Sequence, residues 1–385
     1  MHICFLTNEF PKEGFPHGGI GSFVKNVATA LVKNELKVSV VGINYIAKDE
    51  TEILGNIKIY RLKKSTIKGL AWYLNSKKIN NKIKEIHQKD PVHIIETSEL
   101  GLAFINKLKD IKYIVRLHGG HHFFAESENR NINEWKGFQE KRSFRKADAF
   151  IAVSQYVKNH TEKYLSYQNK PLAYISNPID TNLFTPIIGK ESENKIVFAG
   201  TVCEKKGIRQ LIQAFPLVKK EFPNATLEIY GRDWFYPDGS SYIQMLKEKE
   251  LSKIEKIATD VHFHGSISYT HIPLAYSEAS VCVFPSHMET QGLVAPEAMA
   301  MEKPVVFTLL GPGPETIEDY KTGLLCDPYN PENIADKIIW YFSNKEKAKI
   351  MGKQAREFVI QKYGLAHIIK QNIEFFQSLL FQHDK

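Results

Sequence analysis

The chain has 385 residues, 43% of them hydrophobic and 24% charged, with 51 Lys and Arg against 43 Asp and Glu and a formal charge of +8. That length suits about two domains of roughly 100 to 200 residues, each able to bury a sizeable core. No stretch reaches the roughly 18 unbroken apolar residues of a membrane-spanning helix. The four cysteines, Cys4, Cys203, Cys282 and Cys326, lie far apart and read as reduced, structural thiols.

From the N-terminus, short β-rich runs alternate with helical patterns, the signal of parallel sheets with crossover helices. Met1–Thr7 lacks a basic leader region and reads as a first strand rather than a signal peptide, so a cytoplasmic protein is expected, peripheral at most at the inner face of a membrane. Strands are predicted at His2–Leu6, Val38–Ile43, Ile57–Arg61, Val92–Glu96, Tyr113–Leu117, Ala149–Ser154 and Leu172–Ser176. The loop Pro16–Gly21 follows the first strand. Its Gly18 and Gly19 either bring backbone close to a phosphate or sugar, or form a plain flexible loop. Ile20–Lys33 then sets Ile20, Phe23, Val24, Val27 and Leu31 on one helical stripe.

The segment 61–89 holds nine basic residues against one acid, Glu85, interleaved with Leu70, Trp72, Tyr73, Leu74, Ile79, Ile83 and Ile86. Two readings stand: a basic amphipathic helix that touches an anionic membrane, or a solvated face packed on the first lobe. Nucleic acid is not an expected partner, because no supporting motif accompanies the charge. Further on, Arg116-Leu117-His118-Gly119-Gly120-His121-His122 follows a strand, and His262 and His264 stand two apart. Without a carboxylate or Cys at ligand spacing, these histidines read as bonded or solvated rather than metal-binding, and no metal or other cofactor is expected.

A polar stretch, Pro186–Asn194, lacks a periodic face and reads as a linker. The strand pattern restarts beyond it at Lys195–Ala199, Thr226–Tyr230, Val261–His264, Val281–Phe284, Pro304–Thr308 and Leu324–Asp327. The expected fold is α/β, with two Rossmann-like doubly wound lobes, residues 1–187 and 188–365, facing a central cleft. Helix 366–385 is expected to pack back on the first lobe, although its periodicity alone does not say which lobe receives it.

Two strand ends in the second lobe carry chemistry. Pro285-Ser286-His287-Met288-Glu289-Thr290-Gln291-Gly292-Leu293-Val294-Ala295-Pro296-Glu297 runs from a strand into a helix, with Glu289 on the loop and Glu297 in the first turn. On spacing alone the two are a solvated loop acid and a dipole-favoured first-turn acid, or two carboxylates facing one ligand. Val197–Ile208 is a strand, a turn at Gly200 and a helix start carrying Lys205 and Lys206, a compact charge for a diphosphate or a solvated lysine pair.

The first of these stretches resembles the E-x7-E segment of the family 4 retaining glycosyltransferases, which have the two-lobed GT-B fold. The usual P-S-x-x-E-G-F-G-L-x-x-x-E-A-M-A holds at Pro285, Ser286, Glu289, Gly292, Leu293, Glu297, Ala298, Met299 and Ala300, while Thr290 and Gln291 replace Gly-Phe. Gly200–Gly207 resembles the family's G-R-L-x-x-x-K-G, with Thr201 in place of the Arg. The resemblance implies that Glu289 binds donor-sugar hydroxyls and Glu297 the ribose. It also implies that the amides of Gln291, Gly292, Leu293 and Val294 hold sugar and diphosphate, that His118 approaches the sugar, and that Lys206 meets the diphosphate. Gly18 and Gly19 match the family's Gly-Gly loop, and Tyr230-Gly231 and His264-Gly265 match cleft-lining loops. With Thr201 unable to fork a phosphate as an arginine would, that role passes to Lys205, Arg209 or Arg232. The implied reaction is retaining, metal-independent transfer of a hexose-type sugar from a UDP-sugar, or else a GDP-sugar, to a glycan, lipid-linked or small-molecule acceptor. A non-catalytic sugar-nucleotide sensor, or another nucleotide-sugar enzyme such as an epimerase, is the alternative.

Overall fold

The computed structural model describes residues 1–12, 18–128 and 130–381. Pro16 and His17 of the Gly-rich loop and the last four residues of the predicted C-terminal helix lie outside the described residues. The chain divides into one unit of Met1–Pro178 with Leu365–Lys385, and another of Ile179–Gly364.

The first unit runs β1 (His2–Leu6), α1 (Gly19–Lys33), β2 (Lys37–Asn44), β3 (Glu50–Leu54), β4 (Ile57–Lys63), α2 (Ala71–Lys89), β5 (Ile94–Thr97), β6 (Lys112–Leu117), α3 (His121–Ser127), α4 (Glu134–Lys146), β7 (Ala149–Ala152), α5 (Gln155–Glu162) and β8 (Leu172–Tyr174). Its sheet has the order β3-β4-β2-β1-β5-β6-β7-β8, parallel except for β3, which pairs antiparallel with β4. The central strands are buried on both faces, which is why they read as continuous apolar runs. β3 carries no such signal, because Glu-Thr-Glu-Ile-Leu is a mostly exposed edge strand without an apolar run.

The second unit runs β9 (Lys195–Ala199), α6 (Ile208–Glu221), β10 (Thr226–Tyr230), α7 (Tyr242–Lys249), β11 (Val261–Gly265), α8 (Ile272–Ser277), β12 (Val281–Phe284), α9 (Val294–Ala300), β13 (Val305–Thr308), α10 (Gly313–Thr316), β14 (Leu324–Cys326), α11 (Pro331–Ser343) and α12 (Lys345–Tyr363). Its sheet, β11-β10-β9-β12-β13-β14, is parallel throughout.

The boundary falls at Pro178/Ile179 rather than at 187/188. Ile179 donates its amide to the Tyr363 carbonyl at 2.8 Å, and Ile179 and Phe184 belong to the core of the second unit. Two apolar anchors, not the polarity of Pro186–Asn194, therefore decide where the unit begins. The last helix, α13 (Leu365–Phe381), buries Ile368, Ile369, Phe376 and Leu379 in the core of the first unit. A polar clamp completes that docking. Fully buried Arg116 on β6 donates to Glu96 on β5 at 2.7 and 3.2 Å, and its remaining Nη2 donor meets Asn372 Oδ1 of α13 at 2.5 Å. All four cysteines are buried and free. No described helix is long and apolar enough to cross a membrane.

Candidate active site

In the second unit, β10 and β11 lie on one side of β9 and β12, β13 and β14 on the other. Open α/β sheets bind ligands outside the carboxyl ends of their strands at such a reversal. Here β9 leads into Gly200–Lys206 and β12 into Pro285–Gly292. Gly207 has a φ of 69°, and a Cβ on it would run into the Pro285 carbonyl oxygen. Only glycine allows that approach. The His287 amide donates to the Lys205 carbonyl at 2.9 Å, so the two loops are bonded as well as packed. Their meeting puts Lys206 Nζ 2.6 Å from Glu289 Oε1, with Glu289 buried and Lys206 partly open to solvent. Motif reasoning assigns these residues separate roles; the structure pairs them at the sheet's reversal point.

Gly292, at φ 75°, turns the loop into α9, where a Cβ would collide with the Phe307 ring. Gln291 is buried, Leu293 precedes α9 and Val294 opens it. Glu297 lies in the first turn, buried, and accepts a hydrogen bond from Tyr269 Oη at 3.0 Å. Burial pushes its carboxyl up to about 8, a rise that the tyrosine bond only partly opposes. A buried carboxyl with one hydroxyl partner is suited to a ligand that brings further hydroxyl donors. Tyr269 is silent in the sequence because nothing in Ser268-Tyr269-Thr270 marks it as a partner of a residue 28 positions on.

Gly200 and Gly231 make the next layer. A Cβ on Gly231 would strike the Gly200 carbonyl, and the Gly231 amide donates to Gly265, itself at φ 70°. This close stacking carries Arg232 to Thr201: the Arg232 Nε lies 3.5 Å from Thr201 Oγ1. Arg209, by contrast, is committed to Glu204, which Tyr242 also holds at 2.6 Å. Arg232 therefore stands beside the position that lacks the motif arginine.

In the first unit, half-buried His118 follows β6, with its ring edge-on to Phe23 of α1 at 5.0 Å. Desolvation, helped by the Arg116 charge, drives its pKa down to about 3, so the imidazole is neutral near pH 7. The Gly18 amide, at the mouth of α1, donates to Glu9 Oε2 at 3.2 Å, and Gly19 opens the helix with free space around its Cα. Two buried glutamates carry the His118 loop. Glu140 of α4 accepts from the amides of His121 and His122 and pairs with His122 Nδ1. Glu99, just past β5, receives the amides of His118 and Gly119, while its Oε1 has no hydrogen-bond partner. The histidine cluster thus does have a nearby carboxylate, one that arrives from a separate helix and serves as an anchor. His264 is likewise paired with Glu228, at 2.6 Å. Among the described residues no three His, Cys, Asp or Glu side chains are grouped to hold a metal ion.

Burial, with Glu140 adding to it, raises the Glu99 carboxyl from 4.5 to about 8. Between those values the folded chain holds a proton that the unfolded chain has lost, so this group's contribution to stability falls as pH rises from about 4.5 to about 8. Glu99→Gln, a neutral isostere, is expected to gain in melting temperature relative to wild type as pH is raised from about 5 to about 8. Parallel melting curves over that range would contradict the assignment.

Two family models cover this geometry. "Glycosyltransferase Family 4" matches residues 17–183 and "Glycosyl transferases group 1" matches 181–358. The chain belongs to glycosyltransferase family 4. Among curated relatives in the family, an uncharacterized glycosyltransferase of Methanocaldococcus jannaschii is 27% identical over 90% of this chain and 92% of its own. A GDP-mannose-dependent alpha-(1-6)-phosphatidylinositol monomannoside mannosyltransferase of Mycobacterium tuberculosis is 23% identical over 94% of each. Among solved structures, sucrose-phosphate synthase from Thermosynechococcus elongatus has a TM-score of 0.84 at 22% identity, covering 98% of both chains. Anabaena HepE in complex with UDP has a TM-score of 0.77 at 18% identity over 98% of this chain and 100% of its own. This glycosyltransferase therefore has the GT-B fold, with its E-x7-E and K-G segments meeting at the carboxyl edge of the second sheet.

Proposed function

We propose that the protein is a retaining glycosyltransferase that takes a hexose-type sugar from a nucleoside diphosphate sugar, with the donor held at the carboxyl edge of the second sheet. The observation that carries this reading is the Lys206–Glu289 pair at the reversal of strand order, on the loop that leads into the helix bearing buried Glu297. A diphosphate would draw Lys206 from Glu289, leaving that carboxylate to accept from sugar hydroxyls. Glu297 would receive ribose hydroxyls. Arg232 would take over the phosphate contact that Thr201 cannot make, and the amides of Gln291, Gly292, Leu293 and Val294 would face the diphosphate. His118, neutral at working pH, would offer a hydrogen bond to the sugar.

UDP is the favoured nucleotide, because HepE was solved with UDP and with UDP-glucose. GDP comes second, after the GDP-mannose-dependent relative. The acceptor would be a glycan, a lipid-linked sugar or a small molecule, drawn to the first unit. Retention would follow from front-side displacement, in which the leaving phosphate oxygen takes the acceptor proton. No protein carboxylate then acts as nucleophile, and catalysis consists of positioning and of stabilising the charge that grows on the diphosphate.

Glu297→Ala is expected to raise the donor KM about tenfold with kcat little changed, since a ribose contact is shared by ground and transition states. An unchanged KM would remove Glu297 from the nucleotide site. The reaction itself is tested by NMR of the product's anomeric carbon after turnover of UDP- and GDP-sugars. The α-linkage from an α-donor is expected; inversion, or epimerised donor without transfer, would refute this reading.

A further inference from the structure

Helix α4 is built inside out. Its aromatic side chains Trp135 and Phe138 keep 46% and 43% of their surface open, while Gly137, Glu140 and Ser143 are buried with Phe144. A helix that served only the core would turn those rings inward and leave the carboxyl in water, because a buried polar group costs stability unless it is bonded. The buried polar face is explained instead by what it holds.

It holds the loop after β6. Fully buried Glu140 accepts from the amides of His121 and His122, the latter at 3.1 Å, and pairs with His122 Nδ1. Gly120 makes this reach possible: a Cβ there would run into Glu140 Oε1 and press on Glu99 Cβ. The start of α4 is tied to the same loop, since the Asn133 amide donates to His121 Nε2 at 2.8 Å. The helix is in turn fixed to the segment beyond β5. There Ser143 Oγ accepts from the Leu102 amide at 3.1 Å, and Arg142 Nε donates to the Ala103 carbonyl at 2.7 Å. Only Gly119, at φ 87°, and Gly120 separate the clamped His121 amide from His118, and Glu99 receives the amides at the His118 end.

We infer that Glu140 is a positioning residue: through the backbone of Gly119–His122 it fixes His118 against Phe23, acting from full burial rather than by contact with a ligand. The positioning is a property of the first unit alone. Its effect on turnover rests on the proposed glycosyl transfer, in which His118 bonds the sugar. A displacement of about 1 Å in such a group can cost about 10²-fold in rate.

The test is Glu140→Gln. Whichever way its amide turns, the NH2 faces the amide of His121 or of His122, donor against donor, and the clamp opens. In histidine-labelled protein the NMR signals of the His118 ring, assigned by their loss in His118→Ala, are expected to move as the ring leaves the Phe23 ring current. Turnover, measured well below the variant's melting temperature, is expected to lose about 10- to 100-fold in kcat with the donor KM within about twofold of wild type. His122→Ala is the control. It removes the ring but leaves both amides on the carboxyl, so the melting temperature should fall while the His118 signals and kcat stay near wild type. Should Glu140→Gln not fold, Glu140→Asp takes its place: it keeps both oxygens but withdraws them by about 1.5 Å, and should move the signals with a smaller loss of kcat. Unmoved His118 signals, an unchanged kcat, or a kcat loss in His122→Ala that matches Glu140→Gln would overturn the inference. Moved signals in a protein whose wild type transfers no sugar would instead refute the glycosyltransferase reading and leave the positioning standing.

Discussion

Lys206→Ala should lower turnover of the donor by about 10² to 10³, the usual consequence of removing one preorganised charge from a site where negative charge develops. The effect should fall mainly on kcat, because the lysine is shared with Glu289 in the resting protein and is engaged fully only when the diphosphate departs. The same substitution leaves Glu289 buried without its cation, so the melting temperature is measured alongside. Lys206→Arg separates the two effects: it keeps the charge next to Glu289 but replaces a point charge by a planar fork. Stability should return while turnover recovers only in part. A loss under threefold for Lys206→Ala would exclude this role.

Replacing Arg116 by Met should have the largest effect on stability, about 3 to 5 kcal/mol, because it strands the Glu96 carboxylate in the core of the first unit. The loss reaches further than one pair. Arg116 also donates to the Ile175 carbonyl at 3.2 Å and to Asn372 of α13, and its guanidinium lies 4.8 Å from the Phe23 ring that packs on His118. The double variant Arg116→Met, Glu96→Leu should recover much of the loss, since neither charge then remains buried alone. Urea unfolding of wild type, Arg116→Met, Glu96→Leu and the double variant gives the cycle. A cost below about 1 kcal/mol for the single variant would mean that water or local rearrangement solvates Glu96.

The strands of both sheets are legible because parallel strands buried on both faces leave unbroken apolar runs, as in Val281–Phe284. The loops of the candidate site are legible too, since glycines with forced backbone geometry, such as Gly207 and Gly292, punctuate the segments that bear Lys206 and Glu289. Partnership is not legible. Lys206 and Glu289 are 83 residues apart, Arg116 and Asn372 are 256 apart, and only the fold brings them within bonding distance. Glu99 and Glu140 stay hidden for the same reason: each supports the His118 loop from another element, and a lone glutamate has no local pattern to mark it. Around the start of α2, the interleaved Leu70, Trp72 and Tyr73 leave open in sequence whether they meet a membrane or pack on the first lobe. The structure leaves them outside the core because only the helix's later turns, at Ile83 and Ile86, are buried.

The central claim, that the carboxyl edge of β9 and β12 is a nucleoside diphosphate site, is tested most directly by calorimetric titration of UDP and GDP into wild type, Lys206→Ala and Glu297→Ala. One of the two nucleotides should bind wild type with a dissociation constant below about 1 mM, and each variant should lose about tenfold or more in affinity. Binding of neither nucleotide, or equal affinity in all three proteins, would contradict it.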